Sequence, residues 1–257
     1  MAQYRLRALV CASLMCSAFT QNCQAASMQL NVYVNLAARR FLIANNQKIV
    51  IVFPLPLSAG GTAVIAAKTL QPIADLTTLT LDTANAIYIS SRPVVALDII
   101  EVGIQSPATY DNLYSFDGVQ INGNGRGLSG HIGIYYQAPL HAQAVVTGLA
   151  AFIYETGTEK PSTPSPINYY TLNLFQARYI KQPTSVVWVF VASEISSGSV
   201  LPFNILNPAP TRVALKSNSG LQLGDYLAVS LSSENPANIH FDSSINAFVN
   251  GPYPTSE

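Results

Sequence analysis

The chain has 257 residues, of which 49% are hydrophobic and only 10% are charged, and its 13 basic and 13 acidic residues balance to zero formal charge. An average soluble domain has about 25% charged residues. Without a basic field, the chain is not expected to bind nucleic acid or anionic lipid. Its solubility must depend on Ser, Thr, Asn and Gln, a composition typical of extracellular β proteins and of proteins that assemble or rest on a surface.

Residues 1–25 have the pattern of a secretory signal peptide. Arg5 and Arg7 form a positive start, residues 8–19 are apolar but too short to span a bilayer, and residues 23–25 form a small-x-small cleavage site. Cleavage would remove two of the 13 basic residues and no acid, which leaves a net charge of −2. We expect a secreted or cell-surface protein, or a periplasmic one, with no transmembrane anchor after cleavage. The absence of an Asn-x-Ser/Thr sequon favours a bacterial origin.

All three cysteines, Cys11, Cys16 and Cys23, lie in this leader, so the processed chain is expected to be free of disulfides. An exported protein of this kind must be held together by its core alone. A processed chain of roughly 230 residues is long enough to be stabilised by its core, since folding buries about 70% of the surface that the unfolded chain exposes. Cysteine nucleophiles and cysteine zinc sites are excluded in the processed chain.

Strict alternation of apolar and other residues begins directly after the leader. Met28, Leu30, Val32, Val34 and Leu36 are each separated by one residue, which predicts a strand with one apolar face over residues 28–37. A free strand of this kind is what donor-strand assembly uses, when one subunit lends a strand to its neighbour. The alternative is that the strand pairs within its own sheet.

Further short strands are predicted along the chain, with turn signals between them and without a long helix. Residues 94–104 are apolar almost throughout and are expected to form a central strand buried on both faces. Residues 142–154 fit both a helical face and strands, and a strand is favoured. The other predicted strands are residues 48–57, 62–66, 76–81, 86–90, 131–137, 169–180, 185–192, 200–206, 212–215, 226–231 and 245–249.

About a dozen short strands predict an all-β fold, an antiparallel β-sandwich that is Ig-like or jelly-roll-like, with little helix. The strongest break in the pattern is a Pro/Ser/Thr-rich loop or linker at residues 156–166. Residues 26–155 are expected to form a β-sandwich domain. Residues 167–257 are a β-rich second half that belongs either to the same sandwich or to a small second domain.

Residue sets that could carry catalysis are few. Residues 125–130 match G-x-G-x-x-G, but a strand-like segment follows instead of the helix that dinucleotide binding needs. His240 and Asp242 share one face of a strand, yet nothing nearby completes a metal site or a catalytic group. Asp98 and Glu101 are three apart and would lie on opposite faces of a strand. No cofactor, metal or catalytic residue is therefore assigned, and an enzyme is not expected.

The glycine-rich segment at residues 118–130 is the better candidate for binding. Its tip offers exposed hydrogen-bonding groups, and tyrosines flank it, so together they could contact a sugar or a protein. The alternative is that the tyrosines line the edge of a sandwich core. The candidate ligand-binding residues are Asn122, Asn124, Arg126, Tyr110, Tyr114, Tyr135 and Tyr136.

The leading functional hypothesis is a secreted, non-enzymatic surface, adhesion or assembly protein, similar in general type to a pilus subunit or an adhesin. Its expected partners are itself, other surface proteins or glycans. The second hypothesis is a secreted carbohydrate-binding module that uses the glycine-rich segment and its tyrosines. The third is a toxin that inserts a β-hairpin into membranes, and a secreted hydrolase ranks last.

Overall fold

A computed structural model describes residues 27–54, 63–82, 86–139, 142–202 and 225–254. These ranges contain one helix, α1 (Leu36–Ala44), and otherwise strands, turns and loops. The strands are β1 (Ser27–Tyr33), β2 (Gln47–Val52), β3 (Ala63–Leu70), β4 (Leu76–Asp82), β5 (Ala86–Ser90), β6 (Ile104–Pro107), β7 (Asn112–Phe116), β8 (Ile121–Arg126), β9 (His131–Tyr136), β10 (Val145–Ala151), β11 (Ile153–Glu155), β12 (Ser165–Pro166), β13 (Tyr170–Leu172), β14 (Ala177–Lys181), β15 (Val186–Ser193), β16 (Val200–Pro202), β17 (Leu227–Ser230), β18 (Ala237–Asp242) and β19 (Ala247–Asn250).

The strands form four open sheets over the described residues. Their orders are β11-β4-β1-β18-β19, β12-β10-β5-β6 with β13 also on β10, β14-β9-β7-β8, and β16-β3-β2-β15-β17. Most neighbours are antiparallel, and the parallel pairs are β1 with β18 and β7 with β9. The prediction of a mostly antiparallel β protein with little helix is therefore confirmed, while the sandwich arrangement stays a prediction.

Strands from both halves of the sequence share these sheets. Each sheet contains strands that precede residues 156–166 and strands that lie within or after that segment. The largest buried cluster likewise includes Leu30 and Leu79 from the first half and Phe241 and Phe248 from the second. In this structure, the halves contribute to one another's sheets and core.

The alternating segment after the leader forms a shorter strand than the sequence predicts. Met28, Leu30 and Val32 are buried on one face of β1, as expected. The strand ends at Tyr33, because the Asn35 side chain accepts a hydrogen bond of 2.9 Å from the Ala38 N–H and caps α1. Val34 is buried beyond the strand end, but Leu36 begins the helix and is 54% exposed, so its assignment to the strand was wrong.

The prediction of a buried central strand at residues 94–104 was also wrong. β6 begins only at Ile104, and residues 91–103 form a surface segment that we call the apolar loop. Val95 and Ile99 are more than half exposed there, whereas Ile100 is buried. Continuous hydrophobicity is typical of a central strand, but it does not show that the residues are covered.

Most of the other predicted strands coincide with observed strands wherever the structure describes them. Two differ: β2 ends at Val52, so Phe53 and Pro54 lie outside it, and residues 169–180 form two strands, β13 and β14, that belong to different sheets. The ambiguous segment at residues 142–154 forms β10 and β11, so the choice of strand over helix is confirmed. Residues 86–90 are β5, as predicted. Residues 212–215 lie outside the described ranges. No helix in the described part of the chain is both long and apolar enough to cross a bilayer.

Candidate functional site

The candidate tyrosines around the glycine-rich segment do not form one surface. Tyr135 and Tyr136 are adjacent on β9 and therefore point to opposite faces of the sheet. Tyr136 is buried, stacks on Phe116 at 5.3 Å between ring centroids, and donates a hydrogen bond of 3.2 Å to the Gln143 carbonyl. Tyr135 is half-buried on the other face. Tyr136 is therefore a core residue, which corresponds to the alternative that the tyrosines line a core.

Tyr110 and Tyr114 pack against the same core cluster. The Tyr114 hydroxyl accepts a hydrogen bond of 2.9 Å from the Thr109 N–H, so it closes the turn before β7. The Tyr110 hydroxyl is buried and has no hydrogen-bond partner among the described residues. Burial raises the pKa of Tyr110 to about 12. Both rings are half-buried and pack against the core from its edge.

The polar candidates in the glycine-rich segment are spread along β8. Asn122 is exposed near one end, where its side-chain amide donates to Asp117 at 3.3 Å. Arg126 is exposed at the other end of β8, where it lies opposite Asn112 in the β7–β8 register. The β7–β8 register shifts beside Leu113, and Asn124 lies at this irregularity, with its side chain outside the described part. Of the candidates, only Asn122 and Tyr135 share a row, since Ser115 on β7 pairs with both.

The turn before β8 is built by Asp117. Its Oδ1 accepts hydrogen bonds of 2.8 Å from the backbone N–H groups of both Val119 and Gln120. These two hydrogen bonds lower the pKa of the Asp117 carboxyl, and the bond from Gln120 has the larger effect.

The G-x-G-x-x-G match at residues 125–130 connects β8 to β9, and no helix follows it. The match therefore lacks the strand–loop–helix setting that dinucleotide binding requires.

The candidate assembly strand lies inside its own sheet. One edge of β1 pairs with β4 along its whole length, and the other pairs in parallel with β18 from Leu30 to Tyr33. The chain itself thus occupies one edge of the strand fully and the other from Leu30 to Tyr33, an arrangement that corresponds to the alternative to donation. Its outer face is polar, and hydrogen bonds cross three strands: Thr78 donates to Asn31 at 2.7 Å, and Asn31 donates to Asn238 at 3.0 Å.

His240 and Asp242 lie on that outer face, and each has a structural partner. His240 Nδ1 is 2.9 Å from the Gly251 carbonyl oxygen, and its ring packs against Tyr253. Asp242 accepts two hydrogen bonds from Ser244, which lower the pKa of its carboxyl. No group of three or more metal-ligating side chains occurs within the described residues.

The apolar loop is the feature that the sequence did not reveal. It exposes four large aliphatic side chains within eight residues, and beside it lies an open groove of about 600 Å³ whose walls include Val146 of β10 and Val200 of β16. An exposed apolar patch beside such a groove is typical of a contact site. The four side chains are Val95 (51% exposed), Leu97 (37%), Ile99 (54%) and Val102 (37%).

Hydrogen bonds and one ion pair hold the apolar loop in place. The Leu97 N–H donates to the Val200 carbonyl at 2.7 Å, and the Val200 N–H donates to the Asp98 carbonyl at 2.9 Å. Arg92 and Glu101 form an exposed ion pair of 2.6 Å across the base of the loop. Leu97 has a φ of 69°, a left-handed conformation that is strained for a leucine. These contacts fix the loop in the conformation that exposes its aliphatic side chains.

Comparisons with known proteins give no match: no family model, no curated protein and no solved structure resembles the chain at a significant level. The site must therefore be interpreted from its own chemistry.

Proposed function

We propose that this protein is an exported, non-enzymatic surface protein of the adhesion or assembly class, built as a β-sandwich. We further propose that it assembles with other copies of itself through the apolar loop. The observation that carries this proposal is the set of four exposed aliphatic side chains on a loop held by hydrogen bonds. Assembly would remove these side chains from water, and burying apolar surface yields about 25 cal/mol per Å².

A second copy of the chain is the partner that the surface fits best. One surface carries both projecting side chains, Val95 and Ile99, and the groove beside them, so two copies related by a two-fold axis could each fill the other's groove. The groove lining also includes the Arg92–Glu101 ion pair, which could contact the partner copy at the edge of the apolar contact. After removal of residues 1–25 the chain would have a net charge of only −2 and few charged residues, so there is little repulsion to oppose association.

The first test compares the oligomeric state of variants by light scattering after size-exclusion chromatography. The double variant Val95→Ser/Ile99→Ser should shift the protein towards monomer at concentrations where the unmodified chain associates. The matched control is Val119→Ser, which changes one highly exposed aliphatic residue in another turn and should leave the mass unchanged. A monomeric unmodified chain across the whole concentration range would refute the proposal.

A cysteine introduced at the contact gives a second, direct readout. The processed chain is expected to have no cysteine, so Ile99→Cys would carry a single thiol. If the loops meet across a two-fold axis, mild oxidation should produce a covalent dimer, whereas Val119→Cys should not. Intact mass of the exported protein tests removal of residues 1–25 in the same sample. Equal cross-linking of the two variants would contradict a specific contact.

A carbohydrate-binding module is the second candidate, and the outer face of β1 favours it. The amides of Asn31 and Asn238 and the hydroxyls of Thr78 and Tyr33 are half-buried side by side and uncharged, which suits a neutral sugar. A glycan array tests this function. Binding that Asn238→Ala removes and the exposed control Asn250→Ala preserves would support it, and silence across the array would exclude it.

A further inference from the structure

A second cavity, of about 350 Å³, opens where several strands end, on residues other than those of the apolar loop. Its floor is apolar and buried: Met28 comes from the start of β1, Phe53 follows β2, Ile167 follows β12, and Leu231 follows β17. Cavities that hold small molecules typically span about 300–1,000 Å³ and have this kind of apolar lining. The volume therefore suits a small ligand with a hydrocarbon part.

The rim of this cavity offers polar groups that are not otherwise engaged. Gln182, Thr184 and Ser185 lie on the connection from β14 to β15, and Ser233 follows β17. The side chains of all four are exposed, and none makes a hydrogen bond to another described residue. An amide and three hydroxyls around an apolar floor can donate to and accept from the polar end of a bound molecule.

The charge in the cavity is already balanced by the protein. Asp82, at the end of β4, is the one ionisable side chain among the described residues that line it. Asp82 Oδ2 forms an ion pair of 2.5 Å with Lys160 Nζ, which also lies 4.1 Å from the centroid of the Phe152 ring. A charged ligand would have to leave water without a free partner of opposite charge, which is unfavourable.

We propose that this cavity binds a small, uncharged amphipathic molecule. Its hydrocarbon part contacts Met28, Phe53 and Leu231, and its hydroxyl group bonds to the Ser/Thr/Gln rim. The site is independent of self-assembly, because it shares no residue with the apolar loop or its groove.

The experiment uses three probes that share a hexyl chain and differ only at the head: 1-hexanol, heptanoate and hexylammonium. Binding is followed by the ¹³C-methyl signal of Met28, which lines the cavity floor. The other two methionines, Met1 and Met15, precede the described residues. The Met28→Leu variant should lack the Met28 signal and thereby assign it. Hexanol should give a saturable shift, and the two charged probes should bind at least about tenfold more weakly, a factor that corresponds to about 1.4 kcal/mol.

Variants separate binding in the cavity from general solvent effects. Ser233→Phe adds a ring at the cavity mouth and should abolish the saturable shift, while Ser243→Phe, at an exposed serine in the β18–β19 turn, should leave it unchanged. The unfolding midpoint of each variant checks that it is folded. The proposal is overturned if hexanol gives no saturable shift, or if Ser233→Phe binds it as the unmodified chain does. Tighter binding of hexylammonium, lost in Asp82→Asn, would also overturn it by showing a cation site.

Discussion

Replacing Gly148 by Ala should destabilise the protein strongly. Gly148 lies in the middle of β10, where an added Cβ would collide with the backbone carbonyl oxygen of Asn168 and lie 2.8 Å from Cε1 of Tyr88. Neither neighbour can move freely. The Asn168 carbonyl accepts a hydrogen bond of 2.7 Å from the Tyr88 hydroxyl, and the Asn168 side chain accepts one of 2.7 Å from the Leu149 N–H.

The cost can be worked out from these contacts. If Asn168 moves away, both hydrogen bonds weaken or break, at about 0.5–1.5 kcal/mol each. If it stays, the overpacked strand is strained by about 1–3 kcal/mol. Either response costs about the same, so we expect a loss of about 1–3 kcal/mol in the free energy of unfolding, a substantial share of the 5–15 kcal/mol that is usual for a folded domain.

Urea unfolding, followed by the fluorescence of Trp188, the single tryptophan in the chain, measures this loss. With an m-value of about 2 kcal/mol/M, a loss of about 2 kcal/mol lowers the midpoint by about 1 M. The control is Gly123→Ala in β8, where the added Cβ meets no atom within 4 Å, and it should change stability by less than about 0.5 kcal/mol. If Gly148→Ala were no more destabilising than this control, the packing around Asn168 would be wrongly described.

Two further predictions concern tyrosine hydroxyls and pH. Tyr88→Phe removes the bond to Asn168 and should cost about 1–3 kcal/mol, whereas Tyr110→Phe removes a buried hydroxyl that has no partner among the described residues and should be neutral or stabilising by up to about 1 kcal/mol. Equal urea midpoints for the two variants would contradict this contrast. Because the pKa of Asp117 is lowered in the folded protein, its ionised carboxyl stabilises the turn at a pH above the unfolded pKa of about 3.9. This stabilisation is lost as the pH falls through the folded pKa. A ¹³C-carboxyl titration should place the Asp117 midpoint below 3.9, and a midpoint at or above it would exclude the two backbone hydrogen bonds.

Period-two hydrophobicity identified strands well because it depends only on neighbouring residues. Residues 86–90 and the face of Met28, Leu30 and Val32 were both predicted correctly. It could not identify pairing partners, since β1 pairs with β18 about 200 residues later and no local pattern encodes that choice. It also could not show that residues 94–103 are displayed at the surface, because their position depends on hydrogen bonds to Val200.

The candidate site was harder to predict than the fold. The separation of Tyr135 from Tyr136 follows directly from strand geometry, so their placement on one surface could have been rejected from the sequence. The cavity at Met28 could not have been found in this way. Its lining comes from the ends of six separate segments, and each contributes only common residues such as serine, threonine or leucine.

The pairing of the first described strand with a very late one affects how the molecule can be made. During synthesis, β1 can find β4 early, but its parallel partner does not exist until residues 237–242 have been added. Until then, the main-chain groups along one edge of β1 have no ladder to join. Contacts between such distant positions also slow folding. A chain released before residues 237–242 are made would retain that open edge and be prone to aggregate, and pairing with β18 removes this risk.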